Sequence, residues 1–128
     1  RRRAPSDRAV DLAAAASMAL DRRSAIDDLG ALVLAQRGRE ALKGAERGRC
    51  FFDPRHSGRI TSTRWSANRA TISVPACQKC ARAIAAGTAP DSLWDGDRPY
   101  WQRDTVWART GFGALQRDMR RALAEDRR

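Results

Sequence analysis

The three cysteines and the single histidine of the chain fall into two pairs. In RCFFDPRHSGR, Cys50 and His56 stand six positions apart, and in VPACQKCARAIAAG, Cys77 and Cys80 stand three apart. Zinc takes four soft or borderline donors in a tetrahedron, and three thiolates with one imidazole are a common structural set. Cys50, His56, Cys77 and Cys80 make that set with nothing left over. The Cys77-x-x-Cys80 spacing at a strand-to-helix junction points both sulfurs to one side, where the free N–H groups of the first helical turn donate to thiolate. The five-residue gap in the first pair exceeds the usual two-residue knuckle; Phe51 and Phe52 are expected to fill the underside of this loop while Pro54 stiffens the turn into His56. Three thiolates on a divalent ion leave about one negative charge, which Arg49, Arg55, Lys79 and Arg82 are placed in sequence to offset. The plainer alternative is three buried thiols and a surface histidine.

Other chemistries fit less well. A thiol pair at a helix start also suits redox exchange, because a helix terminus lowers the first thiol's pKa, but no βαβ units are present to build a thioredoxin-like fold. A treble-clef endonuclease needs a catalytic histidine beyond its ligands, and the chain has one histidine in all. The carboxylates of Asp91, Asp95, Asp97 and Asp104 lack calcium-loop spacing and a closing Glu, so they read as turn formers.

The ligand pairs need elements to hold them. RITSTRWSANRATISV contains two β-prone runs, Ile60–Trp65 and Thr71–Val74, with Asn68 as a turn residue between them and Pro75 ending the second. CARAIAAG reads as a short helix with Gly87 at its C′ position. Ligand pair, hairpin and a helix beginning inside the second pair give a treble-clef-like order. The eight aromatics (four Trp, one Tyr, three Phe) all lie between Phe51 and Phe112, which marks a boundary near Gly48. Before it, an Ala- and Leu-rich stretch predicts two helices. One is capped by Ser6 and presents Val10, Ala14 and Met18; the other is capped by Ser24 with Asp27 in a capping box and presents Ile26, Leu29 and Val33. The DRR connection allows either a hairpin or one bent rod. After the module, ALQRDMRRALAEDRR predicts an Arg-rich helix with Leu115, Met119 and Leu123 inward and Arg117, Arg120 and Arg121 outward.

The expected class is therefore α+β. A helical arm (1–48) is followed by a zinc module with an aromatic loop (49–112) and a C-terminal helix (113–128). At 128 residues and 14.2 kDa the chain holds one ordinary domain or a small domain with an appendage. Its 25 cations against 15 acids give a net charge of +10 and a pI near 11.2. All the cations but Lys43 and Lys79 are Arg. Such a surplus suits phosphate-rich or anionic-lipid surfaces, and it also fits a codon bias toward Arg and Ala. No run of apolar residues is long enough to span a membrane, yet Arg1, Arg2 and Arg3 read as the positive flank of a removed transmembrane helix, which places the piece at the cytoplasmic face. An odd cysteine count fits a reduced compartment holding a metal better than a disulfide framework.

The run CFFDPRH, followed by a Trp-containing hairpin, VPAC and RPYW, resembles the C-terminal segment of uncharacterised actinobacterial membrane-anchored proteins over residues 50–101. Those relatives often carry Asp at the fourth ligand position, so Cys80 departs from them while keeping a metal donor. The resemblance implies a membrane-tethered origin and no activity.

Together these readings point to a noncatalytic zinc-stabilised module that binds a partner protein near a membrane, its arginines touching anionic headgroups. The rival is a nucleic-acid-binding zinc module. There Arg64, Arg69, Arg82, Arg117, Arg120 and Arg121 meet phosphates, and Trp65, Trp94 or Trp101 stack on bases. Because aromatics in a small domain usually build its core, Phe51, Phe52 and Trp65 are expected to be buried.

Overall fold

Ser24 decides the shape of the aromatic-free half. In the computed structural model, which describes residues 5–67 and 70–126, helix α1 runs over Pro5–Leu20 and α2 over Ala25–Leu42. Ser24 is the N-cap of α2. Its side chain accepts from the Asp27 backbone N–H at 3.2 Å and donates to Asp27 Oδ2 at 2.6 Å, so chain direction is reset within one turn. Arg23 just before it adopts φ 62, and α1 and α2 form a hairpin rather than a rod. The two helices approach closely because their seam is small: a Cβ on Gly38 would already touch Leu12 Cβ at 3.5 Å and the Ala9 carbonyl at 3.6 Å.

The inward face of α1 differs from the expected stripe. Ala9, Leu12, Ala15, Ala16 and Ala19 are buried, whereas Val10 is 63 % exposed. Alanines let backbones come near, so the tertiary seam favours the small face over the larger side chain. On α2, Asp27, Gly30, Ala31, Val33, Leu34, Arg37, Gly38 and Ala41 are all buried, because that helix is covered by α1 and by the C-terminal aromatics.

Strands β1 (Ile60–Ala67) and β2 (Ala70–Cys77) pair antiparallel, with Ile60 opposite Cys77 and Ala67 opposite Ala70. The expected turn residue Asn68 lies outside the described residues. Pro75 does not end β2. Its carbonyl turns away from β1 and accepts from the Phe51 N–H at 2.7 Å, so its missing N–H also falls on the side that owes β1 no bond. Helix α3 (Gln78–Ala85) follows directly, and Gly87 at φ 74 lets the Thr88 N–H reach the Ala83 carbonyl at 2.9 Å.

The aromatic loop contains a two-residue ribbon (β3, Trp94–Asp95; β4, Arg98–Pro99), a 3₁₀ turn at Tyr100–Gln102 and helix α4 (Val106–Thr110). Helix α5 spans only Met119–Glu125, because Gly111, Phe112 and Gly113 all take positive φ and Asp118 supplies the N-cap, accepting from the Arg121 N–H at 3.1 Å. Leu115 precedes that cap and is 42 % exposed, while Met119 and Leu123 are buried as expected.

Two apolar clusters result. The larger joins α1 and α2 to Leu93, Tyr100, Val106, Trp107, Phe112, Met119 and Leu123. The smaller holds Cys50, Phe51, Phe52, Val74, Ala76, Cys77 and Cys80. Trp101 packs on both, and the Tyr100 hydroxyl donates to the Phe51 carbonyl across the junction. Phe51 and Phe52 are buried; Trp65 is only half-buried, edge-on to Trp101 with ring centres 4.7 Å apart.

An ion-pair chain closes the far end. Arg22 meets Asp27 at 3.2 Å and also binds Asp126, which is bound in turn by Arg109. Burial alone would push the Asp126 carboxyl up, but the hydrogen bond and charge of Arg22, then Arg109, hold it below its ordinary 3.8. A depressed acid stabilises the fold above its unfolded pKa, and the contribution is lost as pH falls through the folded value. Asp126→Asn is therefore expected to lower unfolding free energy by about 1 kcal/mol at pH 6. In urea titrations the gap to the parent protein should close as pH drops below the ordinary carboxylate range; a gap independent of pH would show that the charge of Asp126 contributes nothing.

Candidate metal centre

The strand-to-helix junction sets the first two donors. Cys77 is the last residue of β2 and the N-cap of α3, with φ −67 and ψ 165, and its sulfur accepts from the Cys80 N–H at 3.4 Å. One turn later, Cys80 points to the same side. Cys50 arrives because Phe51 hydrogen-bonds alongside β2 and the Leu93 N–H binds the Phe52 carbonyl at 2.8 Å, pinning the loop from both flanks. His56 is swung in by a turn: its N–H donates to the Asp53 carbonyl at 3.0 Å, and the Arg55 N–H donates to Asp53 Oδ1 at 2.9 Å.

These constraints bring all four ligand atoms within 4.8 Å of one another. His56 Nδ1 lies 3.5 Å from both Cys77 Sγ and Cys80 Sγ. Zinc bonds of about 2.3 Å to sulfur and about 2.05 Å to nitrogen, at tetrahedral angles, imply N···S edges of about 3.6 Å and S···S edges of about 3.8 Å. The two N···S edges match, and with all four donor atoms inside 4.8 Å Cys50, His56, Cys77 and Cys80 form a candidate metal site. All three thiols are buried and free of disulfides.

Electrostatics separates the thiols. Burial pushes Cys50 up against the pull of the Cys77, Asp53 and Phe52 N–H groups, and burial and the neighbouring thiols push Cys80 up further. Burial also raises Cys77, but the N–H and thiol of Cys80, the Cys50 thiol and the Lys79 N–H outweigh it and leave Cys77 below its ordinary value. Donors aimed at sulfur at the start of α3 are what a bound thiolate requires.

Two carboxylates that sequence reasoning assigned no part at the metal face the other edge of the imidazole. His56 Nε2 lies 3.9 Å from Asp53 Oδ2 and 3.8 Å from Asp91 Oδ2. The signal for Asp53 was its place three residues before the histidine; nothing local announces Asp91. They favour the tautomer with the proton on Nε2, which frees Nδ1 for a metal. The expected charge compensation is narrower than supposed. Arg49 pairs with Glu40 at 2.5 Å and Arg55 with Asp53 at 2.8 Å, so their charges are already engaged. Lys79 and Arg82 remain exposed on α3.

The arginines considered for an anionic partner are dispersed over several elements. Arg64 is exposed on β1, Arg82 on α3, and Arg117, Arg120 and Arg121 in or just before α5. Arg120 pairs with Asp11 at 3.3 Å and Arg121 with Glu125 at 3.0 Å. Arg69 lies outside the described residues, as do Arg1, Arg2 and Arg3. Among the described residues no helix is long and apolar enough to cross a membrane.

Comparison with family models, curated proteins and solved structures finds no match.

Proposed function

We propose that this chain is a noncatalytic, zinc-stabilised protein-interaction module of a membrane-associated bacterial protein. The observation that carries the reading is the four-donor set: four protein ligands, three of them buried thiols, with all donor atoms within 4.8 Å of one another. Catalytic zinc sites keep a coordination position for water or substrate, and structural sites fill all four with protein. Zinc here staples the Cys50–His56 loop, the hairpin and α3. The treble-clef-like element order supports the same role.

The staple carries surface features suited to a protein partner. Trp94 on the β3–β4 ribbon is 59 % exposed and Ile72 on β2 is 42 % exposed; exposed aromatics are frequent anchors of protein interfaces. The membrane part of the proposal rests on the sequence resemblance and the Arg-rich composition, each basic residue adding about 1 kcal/mol near a charged bilayer. The free-thiol redox reading loses its chemistry once both members of the Cys77–Cys80 pair bind metal.

One observation favours nucleic acid as the second reading. Half-buried Trp65 and Trp101 line a surface cleft of about 460 Å³ together with Arg98 and Gln102, a combination able to stack a base and meet a phosphate. Fluorescence anisotropy with labelled single-stranded DNA and RNA across a salt series separates the two. The proposed reading expects no binding at physiological salt, and tight binding whose affinity falls steeply with salt would replace it with the nucleic-acid module.

A further inference from the structure

A charged concavity lies away from the metal. It is a cleft of about 770 Å³ between α1, α2, the 44–48 link and the start of α5, within the range of small-molecule sites. Its floor is apolar, made by Leu12, Ala15, Ala41 and Met119. Its wall carries five arginines and three carboxylates, Asp11, Glu46 and Asp118, of which Asp11 is paired with Arg120.

Three guanidinium groups there converge on one carboxylate. Arg8 grips Glu46 with Nε at 3.1 Å and a terminal nitrogen at 3.0 Å. Arg37 Nε stands 3.6 Å from Glu46 Oε2, and Arg117 reaches to 4.0 Å of Glu46 Oε1. Three positive charges thus surround one negative charge. Arg37 sharpens the imbalance, being 7 % exposed with an Nε that has no hydrogen-bond partner; one of its terminal nitrogens donates to the Phe112 carbonyl at 3.3 Å. A buried guanidinium without its full set of acceptors costs free energy. Burial also lowers the Arg37 pKa, against the pull of Glu46.

The Glu46 side chain is gripped by Arg8, but the backbone that carries it lies outside any regular element. The 45–49 segment has neither helix nor strand, and it is tied back to α2 by the Ala45 N–H on the Glu40 carbonyl at 2.9 Å and the Arg47 N–H on Glu40 Oε1 at 3.1 Å. A carboxylate on such a link can move aside for a better acceptor without unravelling an element. A phosphate or a second carboxylate offers the fork geometry that arginine binds best.

We propose that this cleft binds a small organic anion, its phosphate or carboxylate head taking the place of the Glu46 side chain among Arg8, Arg37 and Arg117 and its short apolar body lying on Leu12, Ala15 and Met119. The site is independent of the metal reading, since none of these residues is a metal donor.

The test uses the full metal-loaded chain, with octyl phosphate, octanoate and inorganic phosphate titrated separately while the arginine Nε–H resonances are followed by NMR. A saturable shift of the Arg37 resonance is expected with one of the two amphiphiles, and the tighter of them names the head group. Glu46→Gln, which keeps the shape and removes the competing charge, should tighten binding about tenfold. Arg117→Ala, at a side chain 77 % exposed and so harmless to folding, should weaken it about threefold. Inorganic phosphate binding as well as octyl phosphate would overturn the amphiphile and leave a free phosphate as ligand. No Arg37 shift with any probe at millimolar concentration, or an affinity indifferent to Arg117→Ala, overturns the site itself.

Discussion

Protein purified reduced and without added metal is expected to carry one zinc ion per chain, and stripping it should unfold the 50–86 region while leaving the helical hairpin largely formed. The size of the effect follows from linkage. Structural zinc contributes about 10–16 kcal/mol of apparent binding free energy at neutral pH, which is as large as the whole stability of a typical domain. The cluster that holds Cys50, Cys77 and Cys80 is small, so the metal is its main staple. Cys77→Ser is the most informative variant. Serine is a good N-cap, so the cap of α3 survives and only the metal bond is lost. Zinc should disappear, and amide exchange should accelerate through β1, β2 and α3 well before α1 and α2. His56→Ala should lower zinc retention less, with water replacing the imidazole at its partly exposed position. Elemental analysis and exchange mass spectrometry decide the matter. Absence of zinc together with unchanged stability in chelator would remove the metal module and return His56 to an ordinary surface residue.

The second large effect is expected at Trp107. Its ring is fully buried, stacks on Phe112 with centres 5.1 Å apart, and lies directly on Gly30 of α2. Its indole N–H donates to Asp27 Oδ1 at 2.8 Å, so one side chain joins the hairpin to the C-terminal segment by packing and by a buried hydrogen bond. Trp107→Ala should cost about 3–5 kcal/mol from the lost burial and the cavity left behind. Trp107→Phe keeps most of the ring but takes the donor from Asp27, for a loss of about 1–3 kcal/mol. Gly30→Ala supplies the sharper check. Alanine normally improves a helix interior by about 1 kcal/mol over glycine. Here a Cβ would stand 2.3 Å from the Trp107 ring, so the substitution should instead destabilise the protein. Thermal denaturation followed by helical dichroism measures all three. A stabilised Gly30→Ala protein would mean that Trp107 does not sit on α2.

What sequence alone determined was local or compositional. The metal donors were legible because soft ligands are few, and a chain with three thiols and one imidazole leaves a single four-donor set. Ser24, Gly87 and the β-branched runs of the hairpin were legible because caps, left-handed turns and strand propensity act within a few residues. Long-range packing decided the rest. Val10 looks apolar enough for the core, but α1 turns its alanines inward because closeness to α2 outweighs side-chain size. Pro75 looks like a strand terminator, yet β2 passes through it because its missing N–H faces Phe51's side of the sheet. Leu115 fits the helical period of α5 and falls outside it, since the positive-φ turn at 111–113 and the Asp118 cap start the helix later. Asp27 reads as half of a capping box, and only the fold reveals that it also binds Trp107 and Arg22 in a buried hub. Asp53 and Asp91, 38 positions apart in the chain, meet at one imidazole edge, and Arg8, Arg37 and Arg117 meet at one carboxylate. Residue type and spacing can state which groups are able to bind a metal or an anion; which of them share a volume, and which charges are already spent on a neighbour, is settled by contacts between residues far apart in sequence.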